Sequence, residues 1–374
     1  MPITDKLYNA AILICLCSGF ISRMLGVSEL RYLQYIGLAV GPVLCLIYGF
    51  KRLRIVPSQV ICYIVLICFG SLSCLDMEFT KVSYLMFWLS AVLLFLPYRR
   101  FEVKMGLINL VFAVTQLARI ENLNLDFSWM AFLKSSASSV ETNGPTFIFA
   151  LFFVYQLYKG NKWLCALNLV CSVIFFKRIA LIAMMVCILI FLFRKYMSKE
   201  RIFTPHPPLY GVNLLIIIYL LNILYIFGTV LFINGFFADM IRSTGVSVGE
   251  LTMGRNTLYK YVVKDFLNSD IFQFLFGHGT ASCITLLNRH GIHDDLHNDV
   301  LKILYEYGAV IFLLFFYFLY RNANTWYRLS LSVMVNVFFL SDNTLIYASV
   351  IITFFLVSHE NLGSQRLMPD SAGP

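Results

Sequence analysis

The chain has 374 residues, of which 59% are hydrophobic, 16% aromatic and only 13% charged, with a mean hydropathy of +0.77. A soluble domain carries roughly 25% charged residues, so this composition excludes an ordinary water-soluble fold and predicts an all-α, polytopic integral membrane protein. The formal charge of +9 fits either a nucleic-acid partner or the cations that gather on the cytoplasmic side of a bilayer; their placement favours the bilayer.

A spanning helix needs about 20 mostly apolar residues, because only a closed helix pairs its own backbone groups inside hydrocarbon. In chain order, runs of this kind fall near 8–22, 33–50, 57–75, 83–98, 104–118 and 145–158. They continue near 163–176, 179–193, 211–233, 300–320, 328–341 and 344–358, which predicts about twelve spans. The clearest are Ile182 to Phe193 and Leu214 to Ile233, neither interrupted by a charge. Ser18-Gly19-Phe20 offers no small-x-small cleavage site after the first run, which therefore reads as a span and not as a removed signal peptide.

With Lys6 in the cytoplasm, alternate connections hold Lys51, Arg52 and Arg54, then Arg99, Arg100 and Lys104, then Lys159 and Lys162. Arg194, Lys195, Lys199 and Arg201 follow, then Arg321 and Arg328, then Arg366. The positive-inside rule then places both termini in the cytoplasm and the long stretch 234–298 outside. The expected organisation is one membrane domain over 1–360, containing the large periplasmic loop 234–298 with short helices, and a flexible tail over 361–374. The ten cysteines are scattered, without metal-ligand or disulfide-framework spacing.

Ionisable groups near a membrane are costly and mark function. Lys177-Arg178 stands at the outer mouth between two spans, where an arginine either snorkels to lipid phosphate or faces a polar cavity. The outer loop holds His278, His290, His293 and His297 together with Arg242, Arg255 and Arg289. Within it, Arg255 to Leu267 has a helical pattern, with Leu258, Tyr261, Val262 and Phe266 on one side and Lys260 and Lys264 on the other; an interfacial helix lying on the membrane is the plain reading. Gly277-His278-Gly279 predicts a turn. Asp294, Asp295, His297 and Asn298 lie at the head of the next span, where the free N–H groups favour an anion.

Two metal readings are weak. His290, His293 and His297 lack an accompanying His-Glu-x-x-His pattern, and Asp76-Met77-Glu78 is only a three-letter match to a two-carboxylate site. Glu306 would lie about two turns inside a span, with Lys302 at i−4 as its natural ion-pair partner. Glu141, ahead of Asn143-Gly144-Pro145, ranks below these.

The order of these motifs resembles a known family. Phe176-Lys177-Arg178-Ile179-Ala180-Leu181, Met253-Gly254-Arg255, Phe276-Gly277-His278-Gly279 and His297-Asn298-Asp299-Val300-Leu301 leading to Tyr305-Glu306-Tyr307-Gly308 are similar to the O-antigen polymerase and O-antigen ligase superfamily of bacterial envelope-polysaccharide enzymes. The motif resemblance runs from Lys177 to Gly308. It implies a glycosyltransferase of the bacterial inner membrane that takes a polyprenyl-diphosphate-linked oligosaccharide at the periplasmic face and needs no cofactor. It assigns Arg178 and Arg255 to the diphosphate and His297 to deprotonation of the acceptor hydroxyl, with Asn298 or Asp295 orienting it. Arg242, His278, Arg289 and Glu306 are secondary candidates, no metal site is assigned, and a chain-length regulator is a further candidate partner.

These roles suit the side chains. Arginine stays charged and grips phosphate oxygens through a planar fork, while imidazole titrates near neutrality. The expected reaction is a single, inverting displacement. Polymerase is favoured over ligase because the chain is compact and carries no added outer domain. A lipid-linked oligosaccharide flippase is the alternative of another class; it calls for polar or broken mid-span segments in repeated halves, and the sequence has no visible repeat.

Overall fold

The computed structural model describes residues 3–35, 103–126, 128, 142–199, 212–243, 245, 247–321 and 323–360. The runs at 57–75 and 83–98, most of 33–50, Asp76-Met77-Glu78, Glu141 and the tail 361–374 lie outside the described residues. Within them, all regular elements are helical. The chain runs through α1 (Ile3–Leu25), α2 (Met105–Leu117), α3 (Asn143–Lys159), α4 (Lys162–Ile174), α5 (Arg178–Lys199) and α6 (Val212–Ile233). The short helices α7 (Ala238–Arg242), α8 (Val248–Thr252), α9 (Arg255–Leu267), α10 (Ile271–Phe276) and α11 (Ser282–Arg289) follow. Three apolar helices close the fold: α12 (Asp299–Arg321), α13 (Trp326–Ser341) and α14 (Ala348–Ser358).

Four described helices are long and apolar enough to cross a membrane: Asp5–Leu25 of α1, Arg178–Tyr196 of α5, and all of α6 and α12. The described residues do not confirm the twelve spans expected, and three of the expected runs lie wholly or mostly outside them. Several predicted runs fold into shorter pieces: α2 and α4 have 13 residues each and α14 has 11. At about 1.5 Å per residue, 13 residues cover about 20 Å of a hydrocarbon core about 30 Å thick. In the last of these the local cause is visible: the first residues of the run go into a 3-10 turn, Thr344–Ile346, before α14 begins.

The core forms around α3. Phe147 through Tyr155 are all buried, so this helix is covered on every side by α2, α4, α5, α13 and α14. Phe147 stacks on Phe338 with centroids 4.4 Å apart, and Phe149 on Phe175 at 5.7 Å. By contrast α5 exposes Ile182, Met185, Leu189 and Leu192, and α6 exposes Ile216, Leu220, Ile223, Leu224 and Phe227. Continuous apolar stripes of this kind on helices of spanning length are the faces a bilayer covers.

α12 is one helix broken by Gly308, which has φ 74° and ψ 178°. The break is where the Gly277 turn crosses it. A Cβ on Gly277 would sit 2.3 Å from Glu306 O, and one on Gly308 would sit 2.4 Å from the Leu275 carbonyl, so both positions need glycine for space as well as for backbone angle. His278 N and Gly279 N donate to Tyr305 O at 3.0 Å and Glu306 O at 2.9 Å, pairing carbonyls that the break would otherwise orphan.

The helix expected over Arg255–Leu267 forms with those bounds, but its apolar face does not lie on a membrane. Leu258, Tyr259, Val262 and Val263 are buried against Cys283, Leu287, Leu296, Leu301 and Tyr305 in a second core, leaving Lys260 and Lys264 exposed.

Candidate functional site

Four separate segments converge where α5, α9, α12 and α13 meet. Lys177 and Arg178 open α5. Met253 and Gly254, both left-handed at φ 55° and 80°, make the tight turn that places Arg255 as the first residue of α9. His297, at φ 50°, holds the last turn before α12, and Asp342 directly follows α13. A left-handed histidine is an uncommon conformation, held here by contacts on both sides of its ring.

Asp342 joins these segments. Its fully buried carboxylate has one oxygen 3.4 Å from His297 Nδ1 and the other 3.5 Å from Lys177 Nζ. Burial pushes the Asp342 carboxyl up, but the His297 hydrogen bond and the charges of Lys177 and Arg255 outweigh it and hold the group below the ordinary carboxyl value. The Asp342 carboxylate is therefore ionised. On the far side of the imidazole, Nε2 lies 3.4 Å from Asp294 Oδ1, and the histidine side chain keeps 23% of its exposure. With Nδ1–H directed at Asp342, Nε2 is the nitrogen left to take a proton.

Beside this dyad lies a cavity of about 380 Å³ whose lining includes Lys177, Arg178 and Arg255. Arg255 donates to Ser341 O and Arg178 Nη2 to Leu251 O at 3.2 Å, which fixes both guanidinium groups against backbone. Tyr259 lines the same cavity and donates to His297 O at 3.2 Å; burial raises its hydroxyl to about 12, so it remains a donor. Lys177, Arg178 and Arg255 thus bring three cationic side chains to one cavity, with the Asp342 carboxylate against the first of them. The apolar part of the wall is Ile179, Leu251, Met253 and Ile182, the last also part of the exposed stripe of α5. A cavity with fixed cations at one end and an opening toward an apolar helix face suits an anionic headgroup on a hydrocarbon chain.

Of the residues proposed from sequence, Arg178, Arg255 and His297 come together, and Lys177 joins them. Asp295 and Asn298 do not orient His297. Asp295 pairs with Lys302 at 2.9 and 3.0 Å. Asn298 is the cap of α12, accepting from Leu301 N at 2.9 Å and donating to Tyr225 Oη at 3.2 Å. Asp342 and Asp294 are the carboxylates that meet the ring. Lys302 is thus engaged with Asp295, while Glu306 Oε1 accepts from Cys283 N at 3.3 Å at the start of α11.

His278 serves the Gly277 crossing and not the cavity. Its ring stacks on Tyr305 at 4.1 Å, with Nδ1 3.1 Å from Tyr305 O and Nε2 3.1 Å from Ser269 Oγ. Arg289 is exposed at the end of α11, and Arg242 ends α7 without its side chain among the described groups. His290 stacks on Tyr261 at 4.1 Å and His293 Nδ1 lies 3.1 Å from Asn288 Oδ1, so the three loop histidines are not gathered. Among the described residues no group of three histidine, cysteine or acidic side chains is placed to hold a metal.

Asp342 is the site residue that sequence reasoning missed. The available signal was an acid in a two-residue connection between two apolar runs, on the side from which α12 begins. Comparison with known proteins finds no matching family model, no matching curated protein and no matching solved structure.

Proposed function

We propose that this protein is a membrane glycosyltransferase that joins polyprenyl-diphosphate-linked glycan units, as an O-antigen or related surface-polysaccharide polymerase does. The observation that carries the reading is the cavity shared by Lys177, Arg178 and Arg255 beside the His297–Asp342 dyad. Its three cationic side chains complement a diphosphate, and its apolar residues, which include Ile182 of the exposed stripe of α5, accommodate the first isoprene units of the carrier.

In the proposed reaction Arg178 and Arg255 hold the diphosphate of the donor and stabilise the charge that grows on it as the anomeric C–O bond breaks. An acceptor sugar approaches from the exposed side of His297. Its hydroxyl oxygen attacks the anomeric carbon while the proton passes to Nε2, and the electron pair of the broken bond leaves with the diphosphate. Asp342 fixes the tautomer through Nδ1 and stabilises the imidazolium that forms. One displacement inverts the anomeric configuration. The fixed guanidinium charges take the part a metal would play in neutralising the leaving group.

The test is analysis of the linkage formed by the purified protein from a polyprenyl-diphosphate oligosaccharide of known anomeric configuration. Elongated product with the opposite configuration supports the reading, and product that retains the donor configuration overturns the single displacement.

A further inference from the structure

The second uncommon feature of the segment between α6 and α12 is α10. Its residues Ile271–Phe276 are apolar except for Gln273, and none of the six is buried. Phe272 is 71% exposed and Ile271 64%, with Phe274 and Phe276 at 42% and Leu267, just before, at 68%. The neighbouring α9 shows that this chain can cover an apolar face with protein when it needs to. Yet α10 is held firmly. Asp270 Oδ1 accepts from Gln273 N at 2.8 Å while Gln273 Oε1 accepts from Asp270 N at 3.1 Å, a reciprocal cap that uses up the one polar side chain. At the other end, Gly277 locks against the Gly308 break of α12.

That lock sets the depth of α10. Arg321 ends α12 with its guanidinium 5.9 Å from the Phe318 ring, the position of a cation at a membrane boundary. From Gly308 to Arg321 the helix covers about 20 Å, whereas a hydrocarbon core is about 30 Å thick. The crossing therefore falls inside the hydrocarbon layer. α10 packs on α12, and on this half of α12 Leu313 and Tyr317 are exposed, 46% and 40%, as on a lipid-facing span. Non-helical backbone at such depth has to be paired within the protein, and it is: Gly277 N donates to Gln273 O at 2.8 Å, and His278 N and Gly279 N donate to α12 carbonyls.

We propose that α10 is a re-entrant helix whose exposed face, Leu267, Ile271, Phe272, Phe274 and Phe276, is immersed in lipid acyl chains, with the Gly277–Gly308 crossing as its anchor. This element fastens the α7–α11 segment to the bilayer, independently of the chemistry at the cavity.

The experiment uses the full-length protein in phosphatidylcholine vesicles, with Phe272→Trp and, separately, Phe274→Trp. The four native tryptophans remain, so the readout is each variant's emission minus that of the parent. The added emission is expected to be blue-shifted, to lose most of its intensity when the acyl chains are brominated, and to be insensitive to aqueous iodide. Quenching by iodide and not by brominated chains would overturn the proposal in favour of a solvated helix. Protection from both quenchers would overturn it in favour of a second copy or another protein covering the face. The two aromatic positions are tested independently, so a variant that fails to fold does not decide the outcome.

Discussion

Two polar clusters sit within one helix of each other in this protein, and both contain histidine, carboxylates and a lysine. In the first, Lys177, Arg178 and Arg255 line a cavity, with Asp342 between Lys177 and His297 beside it. In the second, Lys302 is matched by Asp295, Tyr305 Oη donates to Asp265 at 2.6 Å, His278 stacks on Tyr305, and Glu306 caps α11. The second cluster clamps α9, α11 and the Gly277 turn to α12. Residue type does not separate a site from a clamp. Cations lining open volume do, because there they can meet an anion brought from outside, whereas the groups of a clamp meet one another.

Substitutions sharpen or break this contrast. The largest expected effect is at His297: His297→Ala removes the proton acceptor and lowers the rate of polymer formation by about 10²- to 10⁴-fold with normal membrane insertion. Long-chain glycan at normal rate in that variant would move the base elsewhere. Arg255→Ala follows, with a loss of about 10²- to 10³-fold, and Arg255→Lys recovers only part of it because the bidentate fork is gone; lipid-diphosphate turnover in proteoliposomes measures both.

Asp342 links activity to stability. Removing the carboxylate breaks a buried ion pair with Lys177, at a cost of about 3–5 kcal/mol of stability, so Asp342→Ala lowers the thermal midpoint in detergent well below that of the other site variants. Because its native carboxyl lies below the ordinary value of 3.8, the pair contributes fully above that pH and is lost only as pH falls through the native value. Thermal midpoints of wild type followed from neutral pH to below 4 are therefore expected to fall at the acid end, with Asp342→Asn lacking that component; an identical acid limb in both proteins would contradict it.

On the clamp, Tyr305→Phe removes the donor to a part-exposed Asp265 and costs about 1 kcal/mol of stability, with turnover per folded molecule unchanged. The smallest effect belongs to Arg289→Ala, an exposed position away from the cavity, where stability changes by less than about 0.5 kcal/mol and turnover stays at the wild-type value. A large loss of turnover in either variant would extend the site into the clamp.

Much of this arrangement was legible in the sequence because each part carries a local pattern. Arg178 opens an apolar run, Arg255 follows a Met-Gly turn, and His297 precedes a helix head, so each could be placed without knowing the others. Asp342 could not. It lies in a short polar turn between apolar helices, and its role arises only when α13 packs beside α5 and brings it to Lys177 and His297. The clamp was legible only in part: helix spacing offers Lys302 as the partner of Glu306, whereas Lys302 bonds to Asp295, and Glu306 and His278 meet Cys283 N and Tyr305 O only where the Gly277 turn crosses α12. Span lengths were the other loss. Hydropathy marks apolar stretches, but the Thr344–Ile346 turn cuts the last of them short through turn chemistry that composition does not express.

The most direct measurement is elongation by the purified full-length protein, in chelator and without ATP, of a fluorescent polyprenyl-diphosphate oligosaccharide in vesicles. The account predicts a glycan ladder from wild type, release of polyprenyl diphosphate in step with it, and neither from Arg255→Ala or His297→Ala. Movement of the labelled lipid across the vesicle membrane with no new glycosidic bond would contradict it.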